Sequence, residues 1–157
     1  MLNVEMQIFQ TANAEETHAL GRSLGQLAQA GDYIACCGAL GAGKTTFVQG
    51  FAEGLEVGPG YYVRSPTFTL MQLYHGRLPL CHCDFYRLAH DDDVWQMGFE
   101  DYLGIGGVTI VEWADKFPSV LPLARLDVYI KILAPEGRCI ECRASDKSHQ
   151  HYLQLTT

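Results

Sequence analysis

One octapeptide constrains this chain more than anything else in it: Gly38-Ala39-Leu40-Gly41-Ala42-Gly43-Lys44-Thr45, which satisfies G-x-x-x-x-G-K-S/T. It lies between an apolar run at residues 33–37, read as a buried strand, and a stretch read as a helix over residues 44–53. Strand, glycine turn and helix in that order open a β-α-β unit, the setting this motif needs. Each residue type has a task there. The glycines permit positive φ and let backbone N–H groups close around phosphate oxygens. The helix start directs its unpaired N–H groups and dipole at the same anion. Lys44 brings a point charge for the β- and γ-phosphates, and Thr45 offers a hydroxyl to Mg²⁺. The expected ligand is therefore ATP with Mg²⁺, held by Gly38, Leu40, Gly41, Ala42, Gly43, Lys44, Thr45 and Thr46.

The remaining pattern fits one domain over residues 1–157, without repeats or a dividing linker. Residues 4–9 alternate as a half-buried strand does. Asn13 caps a helix running to about Ala30, with Glu16 in capping-box position and Leu20, Leu24 and Leu27 as its apolar stripe. Residues 67–74 and 78–84 read as two strands around His75-Gly76-Arg77. Asp91-Asp92-Asp93 opens a helix ending near Leu103, residues 108–111 form another buried strand ending at Glu112, and residues 126–133 and 138–144 form a hairpin. Together these predict an α/β, P-loop NTPase-like three-layer fold with a mixed, mostly parallel central sheet and hairpins.

Hydrolysis needs more than a phosphate cradle: an acid near the metal, and a group that positions water. Two strands end in acids, at Asp84 and at Glu112, and strand carboxyl ends are where such sheets bind ligands. Either acid alone is equally well a solvated strand terminus; two beside a phosphate loop favour a site. His82 lies on the same strand face as Asp84 and reads equally well as structural or catalytic. The hydroxyls of Ser65, Thr67 and Thr69 sit in a loop placed to sense a γ-phosphate, although Ser and Pro also favour ordinary turns. Trp113, directly after Glu112, is placed either to move with the nucleotide or to anchor the core.

Bulk properties exclude several classes. The net charge of −7 opposes unaided binding to nucleic acid. No run approaches the roughly 20 apolar residues of a membrane span, and residues 1–10 lack the pattern of a secretory signal, so a cytoplasmic protein is expected. Six cysteines, Cys36, Cys37, Cys81, Cys83, Cys139 and Cys142, then read as reduced thiols, the first four in apolar strands. A zinc site from Cys81, His82, Cys83, Cys139 and Cys142 matches no common ligand spacing.

Four motifs in order resemble the bacterial tRNA threonylcarbamoyladenosine biosynthesis ATPase family TsaE, also called YjeE. They are the phosphate loop through Thr46, then Ser65-Pro66-Thr67-Phe68-Thr69-Leu70, then His82-x-Asp84-x-Tyr86-Arg87-Leu88, then Val111-Glu112-Trp113. The resemblance runs from about Asn13 to Arg138, with a weaker echo in Met97-Gly98 and Asp101-Tyr102. It implies an ATPase, slow alone, that supports N6-threonylcarbamoyladenosine formation in tRNA while docked on the TsaD and TsaB proteins, so that tRNA is met only indirectly. It further implies Mg²⁺ held by Thr45 and Glu112, an active-site role for Lys44 and Asp84, a switch loop at Ser65 to Thr69, and nucleotide contacts near Thr11, Asn13 and Arg138. Two rivals remain at this point: a small-molecule kinase, which usually needs a lid with several arginines, and a nucleotide-binding switch without catalysis. A GTPase is disfavoured, since no N-K-x-D segment is present.

Overall fold

The structure, a computed structural model, describes residues 4–98 and 106–156. Its frame is a sheet of seven strands: β1 (Glu5–Thr11), β2 (Tyr33–Gly38), β3 (Met71–Tyr74), β4 (Leu80–Asp84), β5 (Val108–Glu112), β6 (Leu126–Ile132) and β7 (Arg138–Ala144), in the spatial order β1-β7-β6-β2-β5-β4-β3. The central four, β6-β2-β5-β4, are mutually parallel. β7 is antiparallel to both β6 and β1, and β3 is antiparallel to β4, so five of the seven strands point one way. The mixed, mostly parallel sheet expected from the sequence is thus observed.

Strand β2 is apolar on both faces because both are covered. Ile34 and Cys36 enter a core shared with helices α1 (Ala14–Leu27) and α2 (Lys44–Gly54). Tyr33, Ala35 and Cys37 enter a second core beneath α3 (Asp91–Gln96) and the short 3₁₀ turns Ala114–Lys116 and Pro118–Val120. These are the three layers. All six thiols are free, and burial pushes those of Cys37 and Cys142 up to about 12, so they remain protonated and pack as small apolar groups. Among the described residues, no three His, Cys, Asp or Glu side chains gather as a metal site, and no helix is long and apolar enough to cross a membrane.

Helices α1 and α2 approach so closely that only glycine fits between them. A Cβ on Gly21 or Gly25 would lie 2.2 Å from the carbonyl oxygen of Phe47 or Phe51, and one on Gly50 would lie 1.9 Å from that of His18. The obstacle is backbone, which cannot rotate away. Alanine normally improves a helix by about 1 kcal/mol over glycine. Gly50→Ala is expected to reverse that sign and destabilise the protein by about 1–3 kcal/mol, the usual cost of overpacking. The control is Gly58→Ala, whose Cβ would meet nothing within 4 Å. Urea unfolding midpoints measure both; a Gly50→Ala midpoint at or above wild type would contradict the close approach.

Several sequence boundaries move. Helix α1 ends at Leu27 rather than near Ala30. The strand expected from residue 67 begins only at Met71, because residues 67–70 close into a turn: Leu70 has φ +67° and its N–H donates to the Pro66 carbonyl at 2.6 Å. The helix at Asp91 is described to Gln96; its expected end near Leu103, and the Asp101-Tyr102 echo, lie outside the described residues. A C-terminal 3₁₀ segment, Lys147–Gln154, was not expected. It is fastened to the loop before β2, where the Asp32 carboxylate accepts from the Tyr152 hydroxyl at 2.5 Å and pairs with His151 at 3.1 Å.

Candidate functional site

The phosphate loop joins the carboxyl end of β2 to α2 at the centre of the parallel strands, with β6 on one side and β5 on the other. This is the place where an open α/β sheet leaves a crevice. The turn needs glycine: Gly41 and Gly43 sit at φ +78° and +101°. Gly43 is also the N-cap of α2 and gives it no side-chain cap, so the first N–H groups of the helix remain available to an anion. Lys44 is only 5% exposed. Its ammonium donates to the carbonyls of Gly38 at 2.7 Å and Ala39 at 2.9 Å, and lies 4.0 Å from the centre of the Trp113 ring. An ammonium has three N–H donors, and two are placed on the loop, which leaves one for a phosphate oxygen.

Asp84 and Glu112 are directly paired in register at the ends of adjacent parallel strands β4 and β5. Their side chains nevertheless serve different elements. Glu112 turns to the phosphate loop: Oε1 accepts from the Thr45 hydroxyl at 2.8 Å, and Oε2 meets His82 Nε2 at 2.6 Å. Asp84 turns to the loop after α2: Oδ2 accepts from Ser65 at 2.5 Å and Thr67 at 3.0 Å, while Oδ1 accepts from the Tyr86 N–H at 2.8 Å. Ser65, Thr67, Asp84, Glu112, Thr45, Lys44, Tyr86 and Trp113 all border one cavity of about 520 Å³.

A second cavity, of about 460 Å³, opens on the other side of the loop, between the start of α1 and the β6–β7 turn. Asn13, Thr17, Ala42, Glu136 and Arg138 line it, and it shares Gly41, Gly43 and Thr46 with the first. Arg138 is tied to the loop, donating to the Ala42 carbonyl at 2.8 Å and that of Gly41 at 3.2 Å. Asn13 caps α1 through the Glu16 N–H at 2.9 Å. Each cavity falls in the range of about 300–1,000 Å³ typical of small-molecule sites, and their junction is the phosphate loop. One pole is acidic and hydroxyl-lined; the other is bordered by the start of α1, the β6–β7 turn and Arg138.

Thr11 and Thr69 border neither of these two cavities. The Thr11 hydroxyl is buried against that of Thr17 at 2.8 Å, one layer behind the cavity wall. Thr69 is exposed and lines a separate groove with Tyr61, Tyr62 and Phe68. Leu40 stands at the loop tip, 77% exposed. Trp113 adopts φ +59°, a costly conformation for a large side chain, and lies tilted against Tyr86 at 5.0 Å between ring centres. Thr17, Pro135 and Glu136 belong to the cavity walls without a motif to mark them in the sequence.

The donor set at the first pole fits Mg²⁺. It offers hard oxygens only, a hydroxyl and a carboxylate already within 2.8 Å of each other, and Mg²⁺ usually takes just one or two ligands from protein.

Known proteins share the family and the fold. The family model for the threonylcarbamoyl adenosine biosynthesis protein TsaE matches residues 11–140. The chain is 44% identical over 131 residues to the tRNA threonylcarbamoyladenosine biosynthesis protein TsaE of Bacillus subtilis, covering 83% of this chain and 80% of that protein. It is 40% identical over 126 residues to its counterpart in Treponema pallidum, covering 80% and 92%. The crystal structure of Bacillus subtilis YdiB superimposes with a TM-score of 0.80 at 36% identity, covering 96% of this chain and 93% of that one.

Proposed function

The chain belongs to the TsaE family of threonylcarbamoyl adenosine biosynthesis proteins, and from that premise we propose that it binds ATP with Mg²⁺ at the phosphate loop and hydrolyses it in support of N6-threonylcarbamoyladenosine formation in tRNA. The partners in this reading are the TsaD and TsaB proteins. Its acidic net charge of −7 suits a protein that meets tRNA only through them. The observation that carries the reading is the Thr45–Glu112 contact of 2.8 Å across the mouth of the phosphate loop. It brings the motif's hydroxyl and a strand-end carboxylate to one point.

In this reading the backbone N–H groups of Gly41 and Gly43 and the start of α2 grip the phosphates, and Lys44 donates to a β- or γ-oxygen. Thr45 and Glu112 would hold Mg²⁺, which would supply positive charge to the phosphates. Asp84 stands beside them with oxygens that only accept, the arrangement that orients a water for in-line attack on the γ-phosphorus. Water adds to phosphorus while its proton passes to a phosphoryl oxygen, the bond to the β-phosphate oxygen breaks, and ADP and inorganic phosphate leave. Ser65 and Thr67, bonded to Asp84, link that step to the loop beyond α2. Arg138 and the α1 start hold the nucleoside end.

Trp113 offers the test. Its ring lies over Lys44, so a phosphate that draws the ammonium away changes the indole's surroundings. In a Trp95→Phe background Trp113 is the sole tryptophan. Its emission is expected to change saturably with a non-hydrolysable ATP analogue and Mg²⁺, and to differ with ADP. Identical spectra for the free protein and both nucleotides at saturation would contradict this arrangement.

A further inference from the structure

Strand β4 buries a histidine where its neighbours Leu80, Cys81 and Cys83 are apolar or thiol. His82 is fully buried, and its Nε2 lies 2.6 Å from Glu112 Oε2. Its other ring nitrogen, Nδ1, is buried with no hydrogen-bond partner. A leucine would fill such a place without an orphaned polar atom, so the ring is kept for what Nε2 does. A contact of 2.6 Å between nitrogen and a carboxylate oxygen needs a proton between them. With Glu112 as the carboxylate that a Mg²⁺ site needs, the proton belongs on Nε2, which leaves Nδ1 as a bare acceptor; the Nδ1–H tautomer would then set two lone pairs against each other and bury an unpaired N–H as well.

We propose that His82 is a positioning residue for the Mg²⁺ pole: as the Nε2–H tautomer it holds one oxygen of Glu112, so that the other stays at Thr45. This rests on the Mg–ATP reading above and adds to it a residue that touches neither nucleotide nor metal. A carboxylate with both oxygens free can rotate about its terminal torsion, which has a broad, nearly two-fold profile. With Oε2 held by His82, Oε1 has one direction left, toward the Thr45 hydroxyl. This is the role that hydrogen-bonded partners behind a ligand play at metal sites generally, where their loss costs about 10–100-fold in metal affinity.

Two measurements test it. Nitrogen-15 NMR of the wild-type protein, with His82 assigned by comparison with His82→Gln, is expected to show the Nε2–H tautomer; an Nδ1–H tautomer overturns the proposal without reference to any ligand. Mg²⁺ titration of the protein with a bound non-hydrolysable ATP analogue is expected to show about 10–100-fold weaker Mg²⁺ affinity in His82→Leu, with unchanged nucleotide affinity in EDTA. His82→Gln retains an N–H donor near the Nε2 position and is expected to recover most of that loss. A His82→Leu titration like wild type, or equal losses in both variants, overturns the positioning role while leaving the Mg–ATP reading intact. No Mg²⁺ dependence in the wild type would overturn both. Should His82→Leu fail to fold, the tautomer and the His82→Gln titration still decide: a Gln variant weakened 10-fold or more contradicts rescue.

Discussion

Turnover of ATP by this chain is expected to rise about 10³–10⁵-fold when the TsaD–TsaB complex is added, the range that an activating group supplied in trans produces in other NTPases. The reason lies in what borders the phosphate cavity. Among its described lining residues Lys44 is the one cationic side chain, and two carbonyls already hold its ammonium. Two arginines near the motifs are engaged elsewhere, and Arg64 borders the groove formed with Tyr61 and Tyr62. Arg87 lies over the Phe68 ring at 5.0 Å. Arg138 stands on the nucleoside side, bonded to the carbonyls of Gly41, Ala42 and Gly137. Beyond backbone N–H groups and the Ser65 and Thr67 hydroxyls, the one positive charge that the described lining offers to the γ-phosphoryl oxygens is Lys44, so a further cationic donor is expected from outside the chain. Phosphate release measured with and without the partners checks this. Fast hydrolysis by the purified chain, unchanged by partners, would contradict it.

Lys44→Ala should weaken ATP binding by about 10- to 150-fold, the equivalent of roughly 1.5–3 kcal/mol for a hydrogen bond to a charged group. The fold should survive. Lys44 opens α2 and its buried ammonium holds only carbonyls of the phosphate loop, whereas the α1–α2 packing rests on the glycines and on Phe47, Val48 and Phe51 further along. Loss of the charge also uncovers one face of Trp113, so the indole emission of the free variant should differ from wild type. A variant with wild-type affinity would remove Lys44 from the phosphate site.

The residues that form this site were legible to different depths. The phosphate loop could be read because its function demands glycine at fixed offsets between a strand and a helix, a local and unusual pattern. Asp84 and Glu112 could be read as strand-end acids because each ends an apolar run. Which acid serves which partner could not. The two share one register, and their assignments depend on hydroxyls far away in sequence, Thr45 for one and Ser65 and Thr67 for the other. The same remoteness concealed the turn at residues 67–70: β-branched and aromatic side chains suggested a strand, but Asp84 captures the hydroxyls and the chain closes before β3 begins. The C-terminal 3₁₀ segment is held by Asp32, more than a hundred positions earlier, so nothing local marks it. Likeness to a family points to a nucleotide contact near Thr11. Its hydroxyl is satisfied by Thr17, which no spacing argument connects to it. The small-residue faces of α1 and α2 carry a four-residue glycine spacing, Gly21 with Gly25 and Gly50 with Gly54, and that signal reads only as close helix contact once the two helices are known to cross.

One site on this chain, at the phosphate loop, is expected to bind ATP with Mg²⁺. Calorimetric titration of the purified protein with a non-hydrolysable ATP analogue, in Mg²⁺ and in EDTA, tests it most directly. The expected result is a single saturable site, tighter in Mg²⁺ and weakened about 10-fold or more by Lys44→Ala. No binding in either condition, or binding of equal strength by wild type and Lys44→Ala, would contradict it.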